Sequence, residues 1–527
     1  MNKCALWFLI INIGLQSYAQ STISKYINAN SNYQFNLIEL GSHNLFVGMG
    51  GPVLMTASGG ILHVNYYPSG AVLSMSSVAN YSDNDFYFVT GYMDGTCIGP
   101  NGTSLPRIHP VIGKMDSLGN VANVRYYELT GGCYNLSGNL EVTQDQGVIT
   151  WNRENSFFAM RSDTSLNPIW AKHIDRPGGF QFIKELPGGD LLAGINMDTA
   201  GAVVARMDAD GNFLWCKSYI RPKGRVHDAI IESDSSFVIT GFTEYSDQHM
   251  FLPYPPSFLP KLFMMKLNGQ GEVQWCKGYD SAPDLWYTPQ WSRIEKAQDG
   301  NYVVLATMGY PQNNQFHRIS LMKTDLNGDT LWTRCVSDPG KDFYTRNLLI
   351  CSDGGIMLSG LGWGNFPGAT GMSYIFKTDS LGHFDCNEIN CSITLSELFP
   401  TDSSFTLTSV DGATAYPAYV QDTTYGPIPT YNACTHTGVP NLYNQGRNKP
   451  RIRPNPNTGH FTMDFTDPLM ADSFYSVYDA VGRLLFQRPL AQGQESEEID
   501  LSRFGRGTYV VRITSREGVC NERVVVQ

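Results

Sequence analysis

The sequence predicts an all-β protein: a seven-bladed β-propeller followed by a small C-terminal immunoglobulin-like β-sandwich. Three observations predict it. The 527 residues include 52 Gly and 28 Pro, only 16% are charged and 12% are aromatic, a β-rich composition rather than that of a coiled coil or a disordered chain. A short pattern of basic residue, Asp, Gly and Trp recurs along the middle of the chain. The C-terminal stretch alternates apolar and polar residues between Gly-containing turns.

Residues 1–19 read as a secretory signal peptide. Lys3 supplies the positive start, Ala5–Leu15 the apolar run, and Ser17-Tyr18-Ala19 a small-x-small cleavage site, so the mature chain is expected to begin at Gln20. The run is short for a membrane span, and no later stretch approaches about 18 uninterrupted apolar residues, so no transmembrane segment is expected. Cys4 precedes the run, which argues against a lipid-modified cysteine at the cleavage site. An exported chain can oxidise its other ten cysteines. Cys386, Cys391 and Cys434 flank a loop-rich stretch and are expected to include a bridge. Cys216 and Cys276 occupy equivalent slots in neighbouring repeats, too far apart to bond. No C-x-x-C pair occurs, which excludes a zinc ribbon or a thioredoxin-type centre.

The propeller is expected over residues 20–390. The repeat reads KMDSLGNV from Lys114, RSDTSLNPIW from Arg161, RMDADGNFLW from Arg206, KLNGQGEVQW from Lys266, KTDLNGDTLW from Lys323 and KTDSLGHF from Lys377. A degenerate first copy, NYYPSGAVL, starts at Asn65. Asp caps a hairpin turn through its carboxylate, and Gly takes the positive-φ position. Strands such as Asp299–Thr307 precede each turn, giving about four strands per copy, the content of one blade. Trp170, Trp215, Trp275 and Trp332 share one slot and are expected to pack between adjacent blades. The segments Asn32–Leu40 and Asn44–Gly50 are expected to supply the strand that closes the ring. The repeats resemble those of secreted bacterial propellers with delta-sixty-type or kelch-like spacing, a resemblance that implies fold alone.

Residues 391–449, rich in Thr, Ser, Pro and Asn, read as a linker. The sorting motif follows over 450–527. Pro454-Asn455-Pro456-Asn457-Thr458-Gly459 with Phe461, then Asp479, Gly482 and Arg483, then Leu501, Gly507 and Tyr509, resemble the C-terminal sorting domain of the bacterial type IX secretion system, type A-like. The usual ending has Lys before a short valine run, where this chain has Glu522-Arg523-Val524-Val525-Val526-Gln527. The resemblance implies the type IX secretion machinery as a partner. It also implies export across the outer membrane, removal of the domain, and a secreted or cell-surface destination. This segment carries nine Arg and no Lys.

Chemistry is harder to find. The net charge of −11 and the lack of a basic tract argue against nucleic acid. There is no G-x-S-x-G, H-E-x-x-H or P-loop, and no metal site or cofactor is expected. Two turns, with Asp208 and Asp210 and with Asp325 and Asp329, resemble calcium loops, but they lack the twelfth-position Glu and read as hairpin turns. The length variations are more informative. Inserts at Gly91–Pro110, Thr243–Pro260, Met308–Arg318 and Leu361–Met372 fall at one place in the repeat, so they gather on one face. They carry Tyr254, Tyr310, Trp363 and Phe366, and a further loop carries Trp286, Tyr287 and Trp291. Aromatic planes among Asn, Gln and Asp suit sugar rings or peptides, although they also pack loops onto blades. The expected function is non-catalytic binding of an extracellular glycan or protein. The alternatives are an extracellular polysaccharide- or peptide-degrading enzyme with acidic residues near the central channel, and a structural adhesin.

Overall fold

The computed structural model describes residues 23–433 and 451–527, except for 28–35, 67–76, 82–84, 130–137, 153–156, 175–177, 198–200, 220–223, 244–260, 282–290, 309–316, 418–422, 425–429, 466–472, 480–483 and shorter stretches. It divides into two compact units, Met1–Cys434 and Thr435–Gln527.

Among the described residues the first unit holds seven five-stranded antiparallel sheets. Six take four successive strands of the chain. Sheet 1 has Asn36–Leu40, His43–Gly48, Gly51–Thr56 and Ile61–Tyr66. Sheet 2 has Ser77–Asn80, Asp85–Ile98, Ser104–Asp116 and Val121–Leu129. Sheet 3 has Gly138–Val142, Val148–Asn152, Phe157–Ser162 and Pro168–Ile174, and sheet 4 has Gly179–Glu185, Leu191–Met197, Gly201–Met207 and Phe213–Ser218. Sheet 5 has Arg225–Ser233, Ser236–Phe242, Leu262–Asn268 and Val273–Ser281. Sheet 6 has Ser292–Lys296, Tyr302–Met308, Arg318–Thr324 and Thr330–Val336. Sheet 7 begins with Lys341–Ile350, Ile356–Phe366 and Ala369–Thr378, and its fourth strand is Ile23–Ile27 from the start of the chain. The first strand of each sheet lies against the first strand of the next, from sheet 1 round to sheet 7 and back. This is a closed, β-propeller-like ring with first strands innermost.

The strand that closes the ring differs from expectation. It is Ile23–Ile27, whereas Asn36–Leu40 and His43–Gly48 begin sheet 1. Tyr26 and Ile27 are buried, and Tyr26 meets Phe366 edge-on at 4.9 Å. Five residues beside an Asn-rich stretch are too few to show a periodicity. The degenerate first copy is also displaced: the third and fourth strands of sheet 1 are joined by residues 57–60, and Asn65 lies within its fourth strand, one residue from the end.

Six of the seven fifth strands come from the stretch read as a linker, and that of sheet 6 lies just before it, inside the stretch assigned to the propeller. Glu388–Ile389 joins sheet 6, Ile393–Glu397 sheet 5, Ser403–Ser404 sheet 4 and Val410–Asp411 sheet 3. Ala413–Pro417 joins sheet 2, Thr423–Thr424 sheet 1 and Thr430–Asn432 sheet 7. The chain therefore circles the ring a second time, in reverse order, as an outer belt. Belt strands of two to five residues need no strong propensity of their own, because each pairs with a preformed edge. Between strands the belt sets apolar side chains against the seams: Leu398 beside the core of sheets 4 and 5, Phe405 and Leu407 in that of sheets 3 and 4. The Cys335–Cys391 disulfide, with Cα atoms 5.9 Å apart, ties the start of the belt to the fourth strand of sheet 6. The bridge at Cys391 thus reaches back to a repeat strand. Cys386 is disulfide-bonded as well, while Cys216, Cys276 and Cys351 are buried thiols.

Neighbouring sheets interlock through the repeat residues. The indole of Trp170 donates to Ala209 O at 2.9 Å, and that of Trp215 to Gly269 O at 3.1 Å, each in the next sheet's turn. Gly211, at φ 77°, lies so close under Trp170 that a Cβ would come within 3.1 Å of its ring, so glycine serves both the backbone and the packing. The same contact joins Trp215 to Gly271, Trp275 to Gly328 and Trp332 to Gly382. The third copy has Leu166 at φ 63° in this slot, fully buried, with its carbonyl accepting from Tyr127 Oη at 2.8 Å.

The second unit is a sandwich of a three-stranded sheet (Arg451–Arg453, His460–Asp464, Ser496–Asp500) and a four-stranded sheet (Leu484–Leu490, Ser473–Tyr478, Gly507–Ser515, Gly518–Val526). Phe461, Met463, Tyr475, Val477, Tyr509 and Val511 are among the side chains of its shared core.

Candidate functional site

Alternating strand direction assigns the faces of the ring. Connections between second and third strands leave by one face, and connections from a fourth strand to the next sheet's first strand leave by the same face. The strand ends at Phe242 and Leu262, Met308 and Arg318, Phe366 and Ala369, and Ser281 and Ser292 therefore share it. The strand ends that flank residues 282–290 thus lie on the face of the inserts. Tyr254, Trp286, Tyr287 and Tyr310 lie outside the described residues. Two inserts are long hairpins, Asp85–Ile98 with Ser104–Asp116 and Ile356–Phe366 with Ala369–Thr378.

The three described aromatics take different roles. Trp363 is 39% exposed and lies across from Gly371, where a Cβ would come within 3.0 Å of its ring. Phe366 is buried against Tyr26 and holds its hairpin to the ring-closing strand. Trp291 is half-buried between the His227 ring at 5.5 Å and the Arg346 guanidinium at 4.7 Å. His227 and Arg346 occupy bulges in the first strands of sheets 5 and 7, and a bulge re-aims a side chain out of the regular pleat.

Below this mouth the innermost strands carry charge. Glu141, Lys184 and Glu295 pair with Ile149, Leu192 and Val303, one residue in from the start of each second strand. They therefore stand at one level on sheets 3, 4 and 6. Asp228 of sheet 5 links them: its Oδ1 accepts from Lys184 Nζ at 3.2 Å and Ala229 N at 2.9 Å, and its Oδ2 from Ile294 N at 3.2 Å. Arg293 donates to Arg346 O at 2.8 Å and lies 3.5 Å from His227 O, spanning sheets 5, 6 and 7.

Although enclosed by protein, the Lys184 side chain keeps 24% of its accessibility, as expected of a group lining a channel. Burial favours neutral Asp228, but Lys184 and Arg293 outweigh it and hold the carboxyl below its usual range. Burial likewise opposes the Lys184 ammonium, and Asp228, Glu141 and Glu295 overcome it, raising the lysine. Burial pushes the Glu295 carboxyl up to about 7, Lys184 partly offsetting it, and Glu141 is raised for the same first reason. This constellation was not visible in the sequence, because four strand residues 43, 44 and 67 positions apart carry no shared motif.

The turns considered for calcium are engaged internally. Asp208 accepts from the amides of Asp210 and Asn212 at 3.0 and 2.8 Å, and Asp325 from those of Asn327 and Asp329, both at 2.8 Å. Asp329 also pairs with Lys277 of the preceding sheet at 2.5 Å. Among the described residues no group of three or more His, Cys, Asp or Glu is placed to hold a metal ion.

In the second unit the opening motif pins the last strand. Asn455 donates to Arg523 O at 2.7 Å and accepts from Val525 N at 2.9 Å, while Asn457 N donates to Val525 O at 2.9 Å. Pro454 and Pro456 flank Asn455, each after a cis peptide. Gly459, at φ 104°, lies against Ser502, and its carbonyl accepts from Leu501 N at 2.7 Å. Phe461 is in the core, and Tyr509 Oη donates to Phe504 O and Gly505 O, both at 2.8 Å. Gly507 starts the third strand of the four-stranded sheet, Asp479 follows Ser473–Tyr478, and Gly482 lies outside the described residues.

Residues 451–527 match the secretion system C-terminal sorting domain family. The chain therefore ends in a sorting module that engages the type IX secretion machinery, and its destination is the exterior or the cell surface. No curated protein matches the sequence. Among solved structures the chain is similar to a protein of unknown function from Bacteroides caccae, 15% identical over 56% of this chain and 93% of that one, with a TM-score of 0.31. It is also similar to the Neurospora crassa Pan2 WD40 domain, 8% identical over 70% of this chain and 92% of that one, with a TM-score of 0.40. Among the described residues no helix is long and apolar enough to cross a membrane.

Proposed function

We propose that the ring binds an extracellular glycan or protein, without catalysis, on the face where the inserts emerge, and that removal of the signal peptide and the sorting module accompanies its delivery. The observation that carries this reading is that exposed Trp363 and the Trp291–His227–Arg346 cluster both lie toward that face. An aromatic plane stacks on a sugar ring or peptide segment, and neighbouring polar groups orient it. The test incubates the purified chain with plant, algal and bacterial polysaccharides and with denatured protein, recording retention and soluble products. Retention that falls about tenfold in Trp363→Ala or Tyr310→Ala supports the reading, one lost stacking contact being worth about 1.4 kcal/mol. Retention indifferent to both substitutions sinks it.

A second reading, an extracellular polysaccharide- or peptide-degrading enzyme, rests on the channel carboxyls. A carboxyl near 7 beside one held low is the division of labour between general acid and carboxylate. New soluble products abolished by Glu295→Gln would favour it.

A further inference from the structure

The sorting module's preference for Arg over Lys has a structural counterpart. Its four-stranded sheet ends at Leu484–Leu490, an edge with no further strand among the described residues. At that edge Phe486 and Phe504 stack at 5.8 Å with planes 18° apart. The Arg488 guanidinium lies 5.4 Å from the Phe486 centroid, and that of Arg503 lies 5.8 Å from Phe486 and 4.5 Å from Phe504. Both arginines are exposed, as is Arg506 beside them, and both rings are half-exposed.

The stack is charged without internal compensation. No carboxylate among the described residues comes within ion-pair distance of Arg488 or Arg503; Asp500 acts on Arg503 only at longer range, and nearby Glu497 accepts from Gln494 at 2.6 Å. Several other cations are paired, as Arg453 with Asp464 in the same unit and Lys377 with Asp353 in the other, but among the described arginines only Arg488 and Arg503 combine an absent carboxylate with a shared aromatic stack. Arg488 also hydrogen-bonds the Tyr475 side chain, and a guanidinium over a ring still has further N–H donors for a carboxylate fork, which an ammonium cannot imitate. Arg and aromatic side chains grouped at an edge have the composition of an interface hot spot.

We propose that Arg488, Phe486, Phe504 and Arg503 form the surface through which the sorting module docks on an acidic protein surface of the export machinery. The stacked rings supply the desolvated centre, and the two guanidinium groups fork onto carboxylates at its rim. The inference starts from the sorting-family match and is independent of what the ring binds.

The test follows the full chain in a type IX-competent host, measuring the exported and the retained fraction, with thermal unfolding of each purified variant as a control. Charge reversal in R488E/R503E is expected to cut the exported fraction at least about tenfold, the cost of truncating paired interface charges. The milder R488K/R503K keeps charge but loses the planar fork, and is expected to fall about threefold. It decides the matter if the reversed protein does not fold. R451E, on the other sheet, is expected to export like the unaltered chain. Normal export of R488E/R503E, or an equal loss in R451E, overturns the proposal. So does binding of the unaltered chain to phosphatidylglycerol vesicles that R488E/R503E abolishes, which would assign the surface to a membrane.

Discussion

The sheets and the belt of the first unit are built by opposite rules. Sheets 3 to 6 are written in their own sequence, with apolar alternation, an Asp- or Asn-capped turn and a tryptophan that locks into the next sheet's turn. The belt has no such repeated device. Residues 388–432 carry no repeat, and their strands are two to five residues long. Yet every sheet receives one. The difference teaches that a strand can be specified by the edge it lies on, provided an apolar side chain falls at each seam and something fixes the register at one end. Here the Cys335–Cys391 bridge supplies that fixed point.

The contrast can be broken most forcefully at an interlocking tryptophan. Trp170→Ala is expected to cost about 3–5 kcal/mol, read as a lowered denaturant midpoint, because it empties a seam between sheets 3 and 4. A loss below about 1 kcal/mol would mean that the ring does not depend on its repeat.

Breaking the belt's anchor comes next. Cys391→Ser opens a loop of 56 residues and is expected to cost about 2–4 kcal/mol, with faster hydrogen exchange confined to the outer strands. Exchange rising equally in the innermost strands would show belt and ring to be one cooperative unit.

A smaller effect sharpens the role of the channel. The raised Glu295 binds a proton in the folded state that the unfolded chain has already released, so stability falls as pH rises from about 4.5 to about 7. Glu295→Gln should flatten that part of a melting-temperature profile; an unchanged slope would place the titration elsewhere. Least of all is expected from Phe399→Ser in the belt. This side chain is 88% exposed, and its replacement should shift stability by no more than about 0.5 kcal/mol in the same denaturant assay.

Legibility followed the physics of specification. Six of the seven repeat turns, the interlocking tryptophans and the sorting motif were readable because each is a local device with fixed residue types. Ile23–Ile27 was missed because five residues beside an Asn-rich stretch show no period, and its identity as the closing strand is set by Ala369–Thr378, some 350 positions away. The belt was missed because its Thr, Ser and Pro content is that of a linker, and only Ile393, Leu398, Phe405 and Leu407, one or two apolar residues per seam, hint at burial. The channel cluster escaped because Lys184 and Asp228 are each unremarkable strand residues until the ring closes them to 3.2 Å.

The belt ends beside the strand that begins the ring. Ala433 N donates to Ser24 O at 2.9 Å, and Ile23 lies opposite Lys377, near the turn that ends sheet 7's third strand. The first and last described residues of this unit therefore lie together, toward the face opposite the inserts. A tether through either end attaches at that one point of the rim. It leaves the strand ends that carry the inserts on the opposite face, clear of the attachment.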